Sequence, residues 1–184
     1  MATIDLSKVE ASPTEVVTLP RNKQIPKGRY DLRIKEAKFG LSNASGKKMI
    51  TLDVEIINPE TVEHNQGGVF QVAGLSCKKI LMMHNSQSLK ELGGFLTRLG
   101  LPTTIDDENP DTEQFVGKVF SDIVKSQRRE QRADPTAEQL AENPKAVGDV
   151  LIDPDTGAPM ITYGIETDFG LANVRGPMKP AASL

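Results

Sequence analysis

The clearest pattern in the chain is a pair of alternating segments between Lys27 and Ile57. In each segment, apolar residues alternate with polar or charged residues, which is typical of half-buried strands. The residues from Gly40 to Gly46 lie between the segments and are of turn-forming types. The pattern predicts a long antiparallel hairpin whose apolar face needs a second layer, because a two-stranded ribbon alone is marginal in water. The apolar positions are Tyr30, Leu32, Ile34, Ile50, Leu52, Val54 and Ile56.

Shorter patterns predict the remaining strands. A strand of marginal length is expected around 16–19, another at 69–73, a third long strand at 75–83, and a fourth at 117–126. Residues 149–152 and 160–167 flank an Asp-Pro-Asp-Thr-Gly turn at 153–157 and are predicted to form a second hairpin. The later arm of that hairpin would be the fifth main strand.

One helix is predicted, from Ser86 to Gly100. Leucines recur there at three- and four-residue steps, and Gly100 is a natural stop. Ser86 or Ser88 is the expected N-cap. The leucine face is predicted to pack on the core.

The order of these elements favours a mainly β fold. Five strands with one helix between the third and fourth is the layout of the OB-fold, a small five-stranded barrel, here with an extra hairpin and insertion. An open sheet with one helix is the alternative. The predicted organisation is an extended N-terminal arm at 1–26, an OB-fold domain at 27–176, a flexible acidic insertion and hairpin turn at 133–158, and a tail at 177–184.

Composition limits the function. The net charge is −3, so any case for nucleic-acid binding must rest on local charge. Cys77 is the only cysteine, which fits a reducing compartment, and it is predicted to be a small buried hydrophobe. The N-terminus lacks the layout of a signal peptide, and no apolar run approaches the roughly 20 residues of a membrane span. We therefore expect a cytoplasmic protein without membrane contact.

Motifs for catalysis are weak. His64 and His84 have no partner at metal-ligand spacing, and His84 with Cys77 does not form a catalytic pair. A phosphate-binding loop is not found in the sequence. The Asp153-x-Asp-x-Gly157 segment lacks the later ligands of a calcium loop. The sequence therefore predicts no enzyme activity, no metal and no cofactor.

Several short motifs resemble those of a known family. They are Pro26-Lys-Gly-Arg-Tyr30, Gly46-Lys-Lys-Met-Ile-Thr-Leu52, the helix running into Leu99-Gly-Leu101, and Gly117-Lys-Val119. Over residues 26–176 the chain resembles phage-encoded single-stranded DNA-binding proteins of the OB-fold type. The resemblance implies non-sequence-specific binding and protection of single-stranded DNA in phage replication or recombination, in the host cytoplasm. It also implies phage or host replication and recombination proteins as partners and allows a homo-oligomer.

The charge distribution suits such a role. Single-strand binding needs a cationic groove for phosphates and flat side chains for bases. Basic residues concentrate at 27–57 and 117–132, whereas acidic residues concentrate at 106–113 and 133–155. The predicted phosphate contacts are Arg33, Lys35, Lys47, Lys48, Lys78, Lys79, Lys125, Arg128 and Arg129, with Arg132 a weaker candidate at the edge of the insertion.

Aromatic residues are few, so each candidate for base stacking can be weighed. Tyr30 shares the parity of the apolar face and is predicted to be core. Phe39 shares the parity of the basic face unless a bulge intervenes, and Tyr163 lies in the last strand, so these two are the predicted stacking residues. The alternative function is an OB-like structural or protein-interaction module of a virion or replication complex, in which the charges serve only solubility.

Overall fold

The computed structural model describes residues 16–178 of the chain. It contains a five-stranded antiparallel sheet, a three-stranded sheet and two α-helices, so the predicted mainly β class is confirmed. Residues 1–15 of the predicted arm and 179–184 of the predicted tail lie outside the described residues. The elements are β1 (Val17–Thr18), β2 (Gly28–Leu41), β3 (Lys48–Asn58), β4 (Thr61–Glu63), β5 (Val69–Gln71), β6 (Ser76–Met82), α1 (Ser86–Arg98), β7 (Val119–Glu130), α2 (Ala137–Glu142) and β8 (Ile161–Thr167).

The predicted central hairpin is formed by β2 and β3, and its apolar face is buried as expected. Leu32 lies opposite Ile56, and Ile34 lies opposite Val54. The register then shifts between Ile34 and Glu36, which leaves one extra residue on β2. Because side chains alternate between faces, this shift moves every later residue of β2 to the opposite face.

The larger sheet has the order β6-β3-β2-β7-β8. The first long strand therefore lies in the middle, and β6 and β8 form the two edges. The edges approach each other, because the Thr167 hydroxyl donates to the Lys78 carbonyl oxygen over 3.3 Å. No strand ladder joins β6 to β8 in the described part of the chain, so the sheet is strongly curled but is not a closed barrel.

Helix α1 covers the apolar interior of the curled sheet. Leu92, Phe95 and Leu96 are buried, and the Phe95 ring meets the Phe120 ring of β7 edge-to-face, with centroids 5.3 Å apart. The helix is capped by Asn85, not by either predicted serine. The Asn85 side chain accepts a hydrogen bond from the Ser88 N–H, and the Ser88 hydroxyl accepts one from the Asn85 N–H, which completes a capping box.

The second predicted hairpin forms only next to its turn, where Ile152 and Pro159 make an antiparallel bridge and the Met160 N–H donates to the Leu151 carbonyl oxygen over 2.8 Å. Strand β8 pairs with β7 from Val124 to Glu130, whereas residues 149–152 make only isolated bridges. The turn at 153–157 is present, and Gly157 adopts φ +69°, where glycine is favoured. Within the predicted insertion, α2 is capped by Thr136 and has no buried residue.

The described part of the predicted arm packs on the protein. Strand β1 pairs with β5, and residues 19–27 then cross the larger sheet. The Ile25 N–H donates to Ser126 Oγ over 2.7 Å, and the Tyr163 N–H donates to the Arg21 carbonyl over 2.7 Å. Among the described residues, neither helix is long and apolar enough to cross a membrane.

Candidate nucleic-acid interface

A groove follows residues 19–27 where they cross the end of the larger sheet. Three clefts of about 570, 730 and 930 Å³ adjoin there and share lining residues, so they form one continuous surface. We call it the basic groove. Its charged lining residues are Arg21, Lys23, Lys27, Lys78, Lys125, Arg129 and Arg132, against Glu130, Asp153 and Glu166.

The groove brings together three predicted phosphate contacts from two strands, β6 and β7. Lys78 projects from β6 with 71% of its side chain exposed, 4.0 Å from an Asp53 oxygen. Lys125 of β7 pairs with Glu166 of β8 over 3.4 Å. Arg129 lies over the backbone of Gly164, where an added Cβ would come within 3.0 Å of the guanidinium. Glycine at that position therefore leaves room for the arginine side chain to lie flat along β8.

Tyr163, a predicted stacking residue, lies at the junction of the first two clefts. It is half-buried, and its backbone N–H is held by the Arg21 carbonyl. The hydrogen bond fixes the backbone of Tyr163, and a half-buried ring leaves one surface on which a base can stack.

Sequence reasoning missed three groove cations, Arg21, Lys23 and Lys27. Arg21 and Lys23 belong to the predicted arm, and Lys27 is the first residue of the predicted OB-fold domain. Their contribution depends on the path of residues 19–27 past the sheet. Lys23 Nζ lies 5.2 Å from the centroid of the Phe70 ring, within the range of a cation–π contact. None of the three forms an ion pair with another described residue. Their occurrence within seven residues, between Pro20 and Gly28, was the available signal.

Other predicted contacts lie outside the basic groove. Arg33 and Lys35 lie on the outer face of β2 and share Glu55, at 2.6 and 3.9 Å. Lys48 pairs with Asp107 over 3.4 Å, and Lys47 is exposed in the hairpin loop. Arg128 is exposed opposite Tyr163 in the β7–β8 register but does not line the three clefts.

Simple alternation predicted that Phe39 shares the basic face of β2. The structure places it on the opposite face. The register shift after Ile34 places it opposite Ile50, and it packs, half-buried, against the core. The physical reason is the extra residue on β2, a bulge that reverses the simple alternation of faces.

Lys79 requires a larger correction, because it lies in the interior and only 1% of it is exposed. Its ammonium donates to Asp122 Oδ2 over 2.7 Å and to the carbonyl oxygens of Asp168 and Gly170 over 2.6 and 2.7 Å. All three donors of the ammonium are therefore used inside the protein. Lys79 therefore has no donor left for a phosphate, in contrast to the prediction from the sequence.

Burial also governs the ionisable groups around Lys79. It raises the pKa of Asp122, although the Lys79 ammonium and the N–H of Ile123 oppose the change. Burial, assisted by the Asp122 carboxylate, raises the pKa of the Cys77 thiol to about 12. Cys77 is buried, which confirms the prediction of a small buried hydrophobe. The described residues hold no cluster that could bind a metal ion.

Comparison with known protein families identifies one family that the chain matches. Residues 5–136 match the family described as "Protein of unknown function (DUF669)". This match covers more than half of the chain. The chain belongs to the DUF669 family. The matched region includes β1 to β7 and α1 but ends before α2 and β8. A comparison with curated proteins finds no match.

Proposed function

We propose that this DUF669 protein binds single-stranded DNA without sequence preference, through the basic groove, and protects it during phage DNA replication or recombination. The observation that carries the proposal is the concentration of seven cationic side chains against three acidic ones along one continuous groove. The whole chain has a net charge of −3, so this local excess is not a general property of its surface. Phosphate contacts of this kind supply most of non-specific affinity.

The fold supports the proposal. We propose that the larger sheet is a partly open OB-type barrel, in which β2, β3, β6, β7 and β8 are the five strands. The helix lies between the third and fourth of them, and the hydrogen bond from Thr167 to Lys78 brings the two edges together. A partly open, five-stranded Greek-key barrel is a common framework for oligonucleotide binding. Fold alone does not establish function, so the proposal of DNA binding rests on the basic groove.

The lack of sequence preference follows from the chemistry of the groove. Lys and Arg ammonium and guanidinium groups contact phosphates, which carry no sequence information. Tyr163 supplies a ring surface that any base can stack on. The protein would act in the host cytoplasm, and further copies of the chain and phage or host replication or recombination proteins are the proposed partners.

The test is a fluorescence-anisotropy titration with a labelled oligo-dT and a matched duplex, each at low and moderate salt. We expect single-strand binding that weakens with salt, and much weaker duplex binding. The double variant Arg21→Glu/Arg129→Glu should lose most of the affinity. The matched control is Lys90→Glu/Lys145→Glu, which changes the net charge equally at exposed positions outside the groove, in α1 and in the insertion.

The second candidate is the OB-like structural or protein-interaction module. Arg33, Lys35 and Lys48 favour it, because these three expected phosphate contacts lie outside the groove and are paired with acidic side chains. Absence of single-strand binding at low salt, or equal affinity of the groove variant and its control, would reject the DNA-binding proposal in favour of this module.

A further inference from the structure

The loop that follows β8 presents an aromatic side chain to solvent. Phe169 is 80% exposed, more than any other large apolar residue in the described chain. A single exposed apolar residue is common on protein surfaces and does not by itself indicate a site. Two features of its surroundings distinguish Phe169, namely the anchoring of its backbone and the neighbouring lysines.

The backbone on both sides of Phe169 is fixed from inside the protein. The Lys79 ammonium binds the carbonyl oxygens of Asp168 and Gly170, the two residues that flank Phe169. The Asp168 N–H donates to the Ile123 carbonyl, and Leu171 is buried. The loop backbone is therefore anchored on both sides of the exposed Phe169 ring.

The ring also lies next to cations of the basic groove. Phe169 lines a small cleft of about 190 Å³ whose charged residues are Lys78, Lys125, Glu166 and Asp168, and both lysines line the groove as well. A strand whose phosphates lie on Lys78 and Lys125 would carry its next bases past the Phe169 ring.

We propose that Phe169 is a base-stacking residue at the end of the basic groove, held in position by the buried Lys79. This inference rests on the proposed function, because it requires a single strand in the groove. Stacking on an aromatic ring is worth about 1–3 kcal/mol per base by alanine substitution, which corresponds to a loss of about 5- to 150-fold in affinity. The site takes any nucleobase, since every base has a flat face.

Two ligands distinguish the contribution of base stacking to affinity from that of phosphate contacts. Oligo-dT offers phosphates and bases, whereas an abasic oligonucleotide of equal length offers phosphates alone. Phe169→Ala should bind oligo-dT at least about fivefold more weakly and leave abasic binding and the salt slope unchanged. Phe169→Leu should behave like Phe169→Ala, because it keeps apolar character but lacks the ring, and Phe169→Tyr should retain affinity.

A spectroscopic test uses the absence of tryptophan from the chain. Phe169→Trp introduces a single reporter, whose fluorescence should be quenched by oligo-dT but not by the abasic strand. Val147→Trp is the control, since Val147 is 67% exposed in the insertion, outside the groove, and should show no quenching.

The outcomes distinguish this inference from the proposed function. If the wild-type protein binds oligo-dT and Phe169→Ala or Phe169→Leu binds it equally well, the stacking role is wrong and the groove proposal stands. Equal loss of affinity for both ligands would also overturn stacking. If the wild-type protein binds neither ligand at low salt, both proposals fail together.

Discussion

Lys79 Nζ lies 2.7 Å from Asp122 Oδ2, and both side chains are completely buried. Lys79 belongs to β6 and Asp122 to β7, which are separated by two strands within the sheet. The ion pair therefore crosses the interior and holds opposite sides of the curled sheet together. The same ammonium binds the loop that carries Phe169. The core and the proposed interface thus share one residue.

We expect Lys79→Met to destabilise the protein strongly. It leaves the Asp122 carboxylate buried without its partner, and breaking a buried pair in this way costs about 3–5 kcal/mol. Because burial already raises the pKa of Asp122, the unpaired carboxyl should take up a proton as the pH falls. The loss of stability should therefore be smaller at pH 5 than at pH 8, as measured by urea unfolding.

The adjacent residue supplies the control. Lys78→Met removes an exposed ion pair and should change the free energy of unfolding by about 1 kcal/mol or less. It should, however, weaken single-strand binding, because Lys78 lines the groove. The double variant Lys79→Met/Asp122→Leu should recover stability relative to Lys79→Met, since it leaves no unpaired buried charge. Equal stability of Lys78→Met and Lys79→Met would contradict the structural role of Lys79.

Local periodicity predicted much of the fold. The β2–β3 hairpin, β6, α1, β7 and β8 all occur within a few residues of the predicted ranges, because each has a clear apolar repeat. The same reasoning could have placed Lys79 correctly. Lys79 shares the parity of Cys77 and Leu81, and Asp122 shares that of Phe120 and Val124. A lysine and an aspartate at core positions of two strands are a signal for a buried pair.

The candidate site was less predictable, for two physical reasons. The bulge after Ile34 reverses which face Phe39 occupies, and a register shift leaves little mark on composition. The groove also depends on the path of residues 19–27 across the sheet, which no local pattern encodes. Lys125, Arg129 and Tyr163 could be proposed from charge and strand assignment, but their assembly with Arg21 required the tertiary structure.

The protein should lose stability at alkaline pH, because two buried groups keep their protons to a higher pH in the folded protein than in the unfolded chain. Burial raises the pKa of Cys77 from 9.0 to about 12 and that of Tyr30 from 10.0 to about 12. Above pH 9 the unfolded chain therefore binds fewer protons than the folded protein, and the free energy of unfolding falls as the pH rises. The limiting slope is about 1.4 kcal/mol per pH unit for each group, beginning near pH 9 for Cys77 and near pH 10 for Tyr30.

Urea unfolding at pH 8, 9 and 10 measures this slope. Cys77→Ala is the comparison, because it removes the thiol and so should flatten the curve between pH 9 and 10. The variant should be less stable than the wild type at pH 8, since it leaves a small cavity. Parallel curves for the two proteins across this range would show that Cys77 does not contribute.

Gly148→Ala should open the base of the insertion without unfolding the sheet. A Cβ at Gly148 would overlap the carbonyl group of Ala133, where the two ends of the insertion meet through the hydrogen bond from the Ala133 N–H to Asp149. Limited proteolysis should then cut faster within 133–158, while the melting temperature changes little, because no buried apolar residue lies in this segment.

Gly93→Ala provides a matched glycine substitution for that experiment. An added Cβ meets no atom within 4 Å there, and Gly93 lies inside α1. We expect it to leave proteolysis of 133–158 unchanged and to stabilise the helix by up to about 1 kcal/mol. If both variants gave the same cleavage pattern as the wild type, the contact between Gly148 and Ala133 would not hold the insertion.

The salt dependence of single-strand binding should distinguish the groove cations from cations that lie outside the groove. Each phosphate contact contributes about 0.7 to the slope of log affinity against log salt for single strands. Arg21→Ala and Lys23→Ala should each lower the magnitude of the slope by about this amount. Arg33→Ala should leave it unchanged, because Arg33 lies outside the groove and is held by Glu55 at 2.6 Å. Titrations of oligo-dT at four or more salt concentrations give the slope of log affinity against log salt for each variant. A fall for Arg33→Ala with none for Arg21→Ala would move the interface from the groove to the outer face of β2, where Arg33 and Lys35 project.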